Sequence, residues 1–98
     1  MPCIMMWRLA EAFKQETKSW DEDHYNAIET REFETLWRNA ISKDGRAHVT
    51  ELSDALARLA PDTARDWRES VLRRACRALQ SEGRAVYMGQ EIRLLAGP

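Results

Sequence analysis

The last third of the chain restricts the possible folds most, because a long amphipathic helix there is followed at once by two short strands. The helix is predicted to begin at Asp62 or Thr63 and to run to about Ser81, with Gly83 as its C-terminal cap. At about 100° per residue its apolar residues gather on one side. They are Trp67, Val71, Leu72, Ala75, Ala78 and Leu79. One face of this helix is therefore predicted to be buried, and Cys76 falls on that side as a buried thiol.

Two β-rich runs, 84–88 and 91–95, follow this helix and are separated by the pair Gly89-Gln90. A Gly-X pair between two such runs predicts a β-hairpin with a type II′-like turn, or with a slightly longer loop through Glu91.

Two shorter helices and an extended segment are predicted upstream. The first helix has Thr30 as its N-cap and is stopped by residues 43–46, and residues 47–49 form a small extended piece. Thr50 caps the second helix and Pro61 ends it. Their apolar stripes are Phe33, Leu36, Trp37, Ala40 and Ile41 in the first helix and Leu52, Ala55, Leu56 and Leu59 in the second.

The N-terminal part is predicted to form one or two further helices. The first runs from Ile4 to about Lys18, with Met6, Leu9, Ala10, Phe13 and Thr17 on one stripe. Ser19 and Glu22 have the spacing of a capping box, which favours a second helix start there. We therefore divide the chain into an N-terminal helical extension, residues 1–29, and a domain, residues 30–98.

A set of core and cap residues resembles a known superfamily. It comprises Ala60-Pro61-Asp62, Trp67-Arg68, Val71, Ala75, Ala78-Leu79 and Glu82-Gly83-Arg84. These residues, with the order helix, short strand, helix, helix, hairpin, resemble the winged helix-turn-helix superfamily, within it a small bacterial family of unassigned function. The resemblance covers roughly residues 47–95. It implies an α+β fold of three helices and a C-terminal hairpin wing, here preceded by the extra N-terminal helices.

The distribution of charge bears on the choice of partner. The net charge is −1, but residues 1–44 hold six basic and nine acidic residues, whereas residues 45–98 hold nine basic and seven acidic ones. All nine basic residues of the second part are Arg, whose planar guanidinium suits phosphate and guanine.

The resemblance implies a DNA-binding face on the third helix of the domain and on the wing. The candidates on the helix are Ser70, Arg73, Arg74 and Arg77, and those on the wing are Arg84, Gln90 and Arg93. Asp62 and Asp66, near the start of that helix, would repel phosphate. The alternative is a solvated or protein-facing surface on which Glu69 forms ordinary i, i+4 ion pairs with Arg65 and Arg73.

No pattern in the sequence indicates an enzyme. There is no Ser/His/Asp or Cys/His set, no phosphate-binding glycine loop and no zinc spacing, so no catalytic residue, metal or cofactor is predicted. The run 21–24 (Asp-Glu-Asp-His) is interpreted as an acidic helix start, and His48 as structural. Cys3 and Cys76 form no framework, which is typical of a cytoplasmic protein. No signal peptide or membrane span is predicted.

The N-terminal helix carries more apolar surface than one buried face needs. Met5, Met6 and Trp7 are the candidate partner-binding residues, for a homodimer or for another protein. The leading hypothesis is a small transcriptional regulator or DNA-binding accessory protein that binds double-stranded DNA. The alternative is a non-enzymatic protein–protein adaptor or inhibitor within a larger complex.

Overall fold

Four helices and three short strands make up the part of the chain that the computed structural model describes, residues 2–19, 29–59 and 61–95. At 2–7, 18–19 and 30 it describes the backbone alone. The helices are α1 (Pro2–Ser19), α2 (Thr30–Trp37), α3 (Val49–Leu56) and α4 (Arg65–Ser81). The strands are β1 (Arg46–His48), β2 (Ala85–Met88) and β3 (Glu91–Leu94). The predicted α+β class is confirmed.

The three strands form one antiparallel sheet in the order β1-β3-β2. The predicted hairpin is confirmed, and its turn is the pair Gly89-Gln90, with Gly89 at φ +63°. The extended piece predicted at 47–49 is instead strand 46–48, and it pairs with β3. The sheet therefore has three strands where the sequence predicted two.

Alternation along the strands gives the sheet one buried and one exposed face. Ala47, Ile92, Leu94 and Ala85 point into the protein and are almost fully buried. The intervening residues of each strand, among them Arg46, face solvent. The inner face packs in the same core as the helices.

α1 contributes to the same hydrophobic core as the later helices. Leu9, Ala10 and Phe13 are fully buried together with residues of α2, α3, α4 and the sheet. The apolar stripe predicted for α1 is thus confirmed at these positions, and Thr17 continues it as a buried residue whose hydroxyl donates to the Lys14 carbonyl (2.7 Å).

Three aromatic rings join α1 and α2 at the centre of this core. The ring of Trp37 lies edge-on to Phe13, with centroids 6.1 Å apart, and 5.4 Å from the centroid of Phe33. Its indole N–H donates to the carbonyl of Leu52 in α3 (3.2 Å). Trp37 therefore connects three helices by packing and by one buried hydrogen bond.

The N-caps of two helices differ from the prediction. α2 is capped by Glu29 rather than Thr30, because Glu29 and Glu32 form a capping box in which the Glu29 N–H donates to the Glu32 carboxylate (3.2 Å). α3 is capped by His48 rather than Thr50, because the Val49 N–H donates to the Gln90 carbonyl in the hairpin turn (2.8 Å). The turn thus takes the place of a capping side chain.

The other predicted helix bounds also move. α2 ends at Trp37 and α3 at Leu56, earlier than predicted. α4 begins at Arg65 rather than near Asp62, since the Arg68 N–H donates to the Ala64 carbonyl (3.0 Å). The predicted end of α4 at about Ser81 is confirmed, but the C-cap is Glu82 rather than Gly83. Gly83 follows the cap with φ +75°, and the Arg84 N–H donates back to the Leu79 carbonyl (2.9 Å).

Cys76 is fully buried, as predicted. Burial raises the pKa of its thiol from 9.0 to about 12, so little reactive thiolate exists at neutral pH.

In a Cys3→Ser variant we expect Ellman's reagent at pH 8 to leave Cys76 unmodified until guanidinium is added. Rapid reaction of the folded variant would contradict this prediction. The raised pKa also makes the free energy of unfolding depend on pH, because the thiol ionises near 9.0 in the unfolded chain and near 12 in the folded one. The contribution of Cys76 to that free energy is complete below pH 9.0 and is lost as the pH rises towards 12.

Candidate nucleic-acid interface

The predicted helix face exists on α4, on the side opposite the buried residues Val71 and Leu72. Helical spacing places Ser70, Arg73 and Arg77 along this face, with Arg74 at its margin. Arg74 and Arg77 are exposed, whereas Ser70 and Arg73 are partly buried.

Arg73 forms an ion pair with Glu69. Its Nη2 donates to Glu69 Oε1 (3.1 Å), and Arg65 Nε donates to the other oxygen of the same carboxylate (2.9 Å). Arg65 also lies 3.6 Å from Asp54 on α3. The two predicted i, i+4 pairs are therefore present, but the Glu69 side chain is only 12% exposed and not on an open surface.

Two contacts join α4 to the hairpin. Arg73 Nη2 lies 3.5 Å from Gln90 Oε1 in the turn. About two helical turns further along, Gln80 Oε1 accepts a hydrogen bond from the Tyr87 N–H of β2 (2.7 Å). The structure thus brings together Arg73 and Gln90, two candidates that are separated by 17 positions in the sequence.

Arg93 belongs to a different surface, the outer face of the sheet. Its direct cross-strand neighbours there are Arg46 on β1 and Val86 on β2. Asp44 lies beside this pair and bonds Arg46 Nε (3.1 Å). The Ser42 hydroxyl, which donates to Asp44, and then Arg46 and Arg93 hold the pKa of the Asp44 carboxyl below its ordinary value.

Arg46 is a neighbour of the candidate residues that the sequence interpretation missed. It entered no prediction because β1 was not expected to join the sheet. The alternation of polar and apolar residues at 46–48 was the available signal. The last wing candidate, Arg84, precedes β2 and pairs with Glu82 at 3.5 Å.

Arg68 was also missed, and it holds α4 in place without lying on the candidate face. Its side chain is in the buried set, with 6% exposure for the residue. Its Nε donates to the carbonyl and hydroxyl of Ser53 (3.0 and 3.2 Å), and its Nη1 donates to the Thr63 carbonyl. Because Ser53 lies on α3, these bonds fix α4 against α3. Position 68 falls within the apolar side of α4, which was the signal in the sequence.

An apolar pair also lies on the outer face of the sheet. Val86 and Met88, both on β2, are 46% and 76% exposed. Among the described residues they are the exposed large hydrophobic side chains.

A groove of about 380 Å³ separates α1 from the end of α4. Charges of both signs line it, including Arg8 and Glu11 of α1 and Glu82 and Arg84 beyond α4. Within residues 2–19, 29–59 and 61–95, no three His, Cys, Asp or Glu side chains lie close enough to hold a metal ion.

Several predictions concern parts of the chain that the structure does not describe. The side chains of Met5, Met6 and Trp7, the candidate partner-binding residues, lie outside the described residues, and so do the acidic run 21–24 and the second N-terminal helix start. His48 is exposed on β1, with its Nε2 3.7 Å from Glu91 Oε1.

Comparison with known proteins gave no similar protein: no family model, curated protein or solved structure matches this chain. Among the helices of the described ranges, none combines the length and apolar character that crossing a bilayer requires.

Proposed function

We propose that residues 30–98 form a winged helix-turn-helix domain that binds double-stranded DNA through α4 and the hairpin, as a small cytoplasmic regulator or DNA-binding accessory protein. The element order α2-β1-α3-α4-β2-β3 supports the fold assignment. So does the sheet order, in which the strand before α3 pairs with the second strand of the hairpin. In this fold α4 takes the position of the recognition helix and the hairpin that of the wing.

The observation that carries the proposal is the contact between Arg73 and Gln90, 3.5 Å apart. It makes the outward face of α4 continuous with the hairpin turn, so that a duplex lying on the helix would also meet the wing. Arg77 lies one turn from Arg73 on the same face, is exposed, and forms no ion pair with any residue of the described ranges.

The expected mechanism is electrostatic positioning. Arg77 and Arg74 would contact phosphates, each contact releasing counterions, while Ser70 and Gln90 supply polar groups for the backbone or base edges. Asp62 and Asp66 are exposed at the approach to α4. Their carboxylates repel phosphate, so the first turn of α4 would lie off the backbone.

We expect the purified protein to bind random duplex DNA with micromolar affinity at about 50 mM salt, measured by fluorescence anisotropy. If three phosphates are contacted, raising the salt to about 200 mM should weaken binding about 40-fold. Arg73→Ala with Arg77→Ala should abolish binding, because it removes a phosphate contact at Arg77 and leaves the Glu69 carboxylate on the same surface without its Arg73 partner.

The matched control is Arg31→Ala in α2 with Arg38→Ala at the residue that follows α2. It removes the same charge, and it too combines an ion-paired arginine (Arg31–Glu29, 2.8 Å) with an exposed one. Equal loss in both double variants would mean that net charge alone governs binding. No binding by the parent protein at low salt would refute general DNA binding by this surface.

The second candidate function is a protein–protein adaptor or inhibitor. The exposed pair Val86 and Met88 on the outer face of the sheet favours it, because apolar side chains on an open sheet face suit a protein partner. The proposed apolar contact of Met5, Met6 and Trp7 with a second copy or another protein belongs to this candidate too. Absence of DNA binding in the experiment above would shift the assignment to it.

A further inference from the structure

The Glu69 carboxylate is shielded from solvent although it lies between two arginines. Its side chain is 12% exposed, whereas five other carboxylates that lie within 4 Å of a basic side chain are 47–65% exposed: Glu29, Asp44, Asp54, Glu82 and Glu91. Both of its oxygens are engaged, one by Arg65 and one by Arg73. A pair that is shielded from water is screened less by salt than an exposed pair.

This arrangement determines which arginines of the α4 face can receive phosphate. Arg73 is 31% exposed, and its Nη2 bonds Glu69 and lies beside Gln90. A phosphate that approaches Arg73 must therefore compete with a carboxylate already in contact with it. Arg77 has no carboxylate in this position among the described residues.

We propose that Glu69 is an intramolecular competitor of DNA phosphate for Arg73 and limits the affinity of the α4 face for duplex DNA of any sequence. The inference rests on the proposed function and assigns to the same surface a residue that regulates it. In the parent protein the arginines of the α4 face therefore neutralise one DNA phosphate fewer than their number would allow. Binding that does not depend on the DNA sequence is thereby weakened. Contacts to base edges then contribute a larger share of the affinity.

Replacing the carboxylate by its neutral isostere, Glu69→Gln, tests this role of Glu69. One additional phosphate contact should steepen the dependence of log affinity on log salt by about 0.9. The ratio of variant to parent affinity should accordingly be about 3.5-fold larger at about 50 mM than at about 200 mM salt. Random duplex DNA is the probe, and anisotropy gives both the affinity and the slope.

Two controls separate release of Arg73 from a general change of charge. Glu34→Gln removes one negative charge from α2, which carries none of the candidate arginines, and should leave the slope unchanged. Glu69→Gln placed in an Arg73→Ala background should also add nothing to the slope. Glu69→Asp, which keeps the charge but withdraws it by one methylene, should give an intermediate affinity, and circular dichroism verifies that each variant is folded.

The results distinguish the two proposals. If the parent binds DNA and Glu69→Gln leaves the slope unchanged, the role of Glu69 is refuted and DNA binding stands. If Glu69→Gln steepens the salt dependence of the affinity equally with and without Arg73, competition for Arg73 is refuted. The Glu69 charge would then act on the DNA directly and not through Arg73. If neither the parent nor Glu69→Gln binds at low salt, both proposals are overturned.

Discussion

Replacing Trp37 with alanine is expected to lower the free energy of unfolding by about 3–5 kcal/mol. The side chain is fully buried and packs against Phe13 of α1 and Phe33 of α2. Its removal leaves a cavity where these helices meet and withdraws the hydrogen-bond donor of the Leu52 carbonyl in α3. Because a domain of this size has a total stability of about 5–10 kcal/mol, the variant should be close to unfolding at room temperature.

Guanidinium denaturation followed by circular dichroism measures this loss. Arg38→Ala, at the next position along the chain, is the control, and because its side chain is exposed we expect a change within about 0.5 kcal/mol. Trp37→Phe keeps an aromatic ring but loses the indole N–H, and should lie between the two. A loss below about 1 kcal/mol for Trp37→Ala would contradict the packing described for the centre of the core.

Arg68→Ala should have the second-largest effect, a loss of about 3 kcal/mol. Arg68 is a buried cation that donates to the carbonyl groups of Ser53 and Thr63, so alanine removes both of these hydrogen bonds and the packing of a buried side chain. A thermal melt should show a decrease in Tm of roughly 15 °C.

Two comparisons sharpen the test of Arg68. Arg58→Ala, at an exposed position just beyond α3, removes the same charge and should leave the Tm nearly unchanged. Arg68→Lys keeps the charge but lacks the planar fork that reaches both partners, so it should recover only part of the loss. If Arg68→Lys matches the parent, charge rather than geometry stabilises the junction between α3 and α4.

Local patterns were sufficient to predict the helices and the hairpin. The stripe from Leu9 to Phe13 and the buried face of α4 follow from a helical period that needs no knowledge of the partner surface. Gly83 and Gly89 are predictable for a similar reason, because each adopts a positive φ that other residues rarely take. The two ion pairs of Glu69 follow from i, i+4 spacing within one helix.

The features that were not predicted depend on distant parts of the chain. The sequence around His48 offers Thr50 as a cap, but the carbonyl of Gln90 accepts the first N–H of α3 and moves the helix start to Val49. Membership of β1 in the sheet requires pairing between Arg46 and Arg93, which lie far apart in sequence. For the candidate face, spacing along α4 identified the arginines. It did not predict the low exposure of Glu69 or the contact of Arg73 with Gln90 in the hairpin turn.

The hydrogen bond from the Tyr87 N–H to the Gln80 side chain also bears on self-association. β2 is an edge strand, and its exposed side chains Val86 and Met88 are apolar. An open edge of this kind is a template on which a strand of another molecule can add and begin aggregation. Gln80 occupies a backbone donor on that edge, so α4 protects the sheet from strand addition while its arginines remain on the surface.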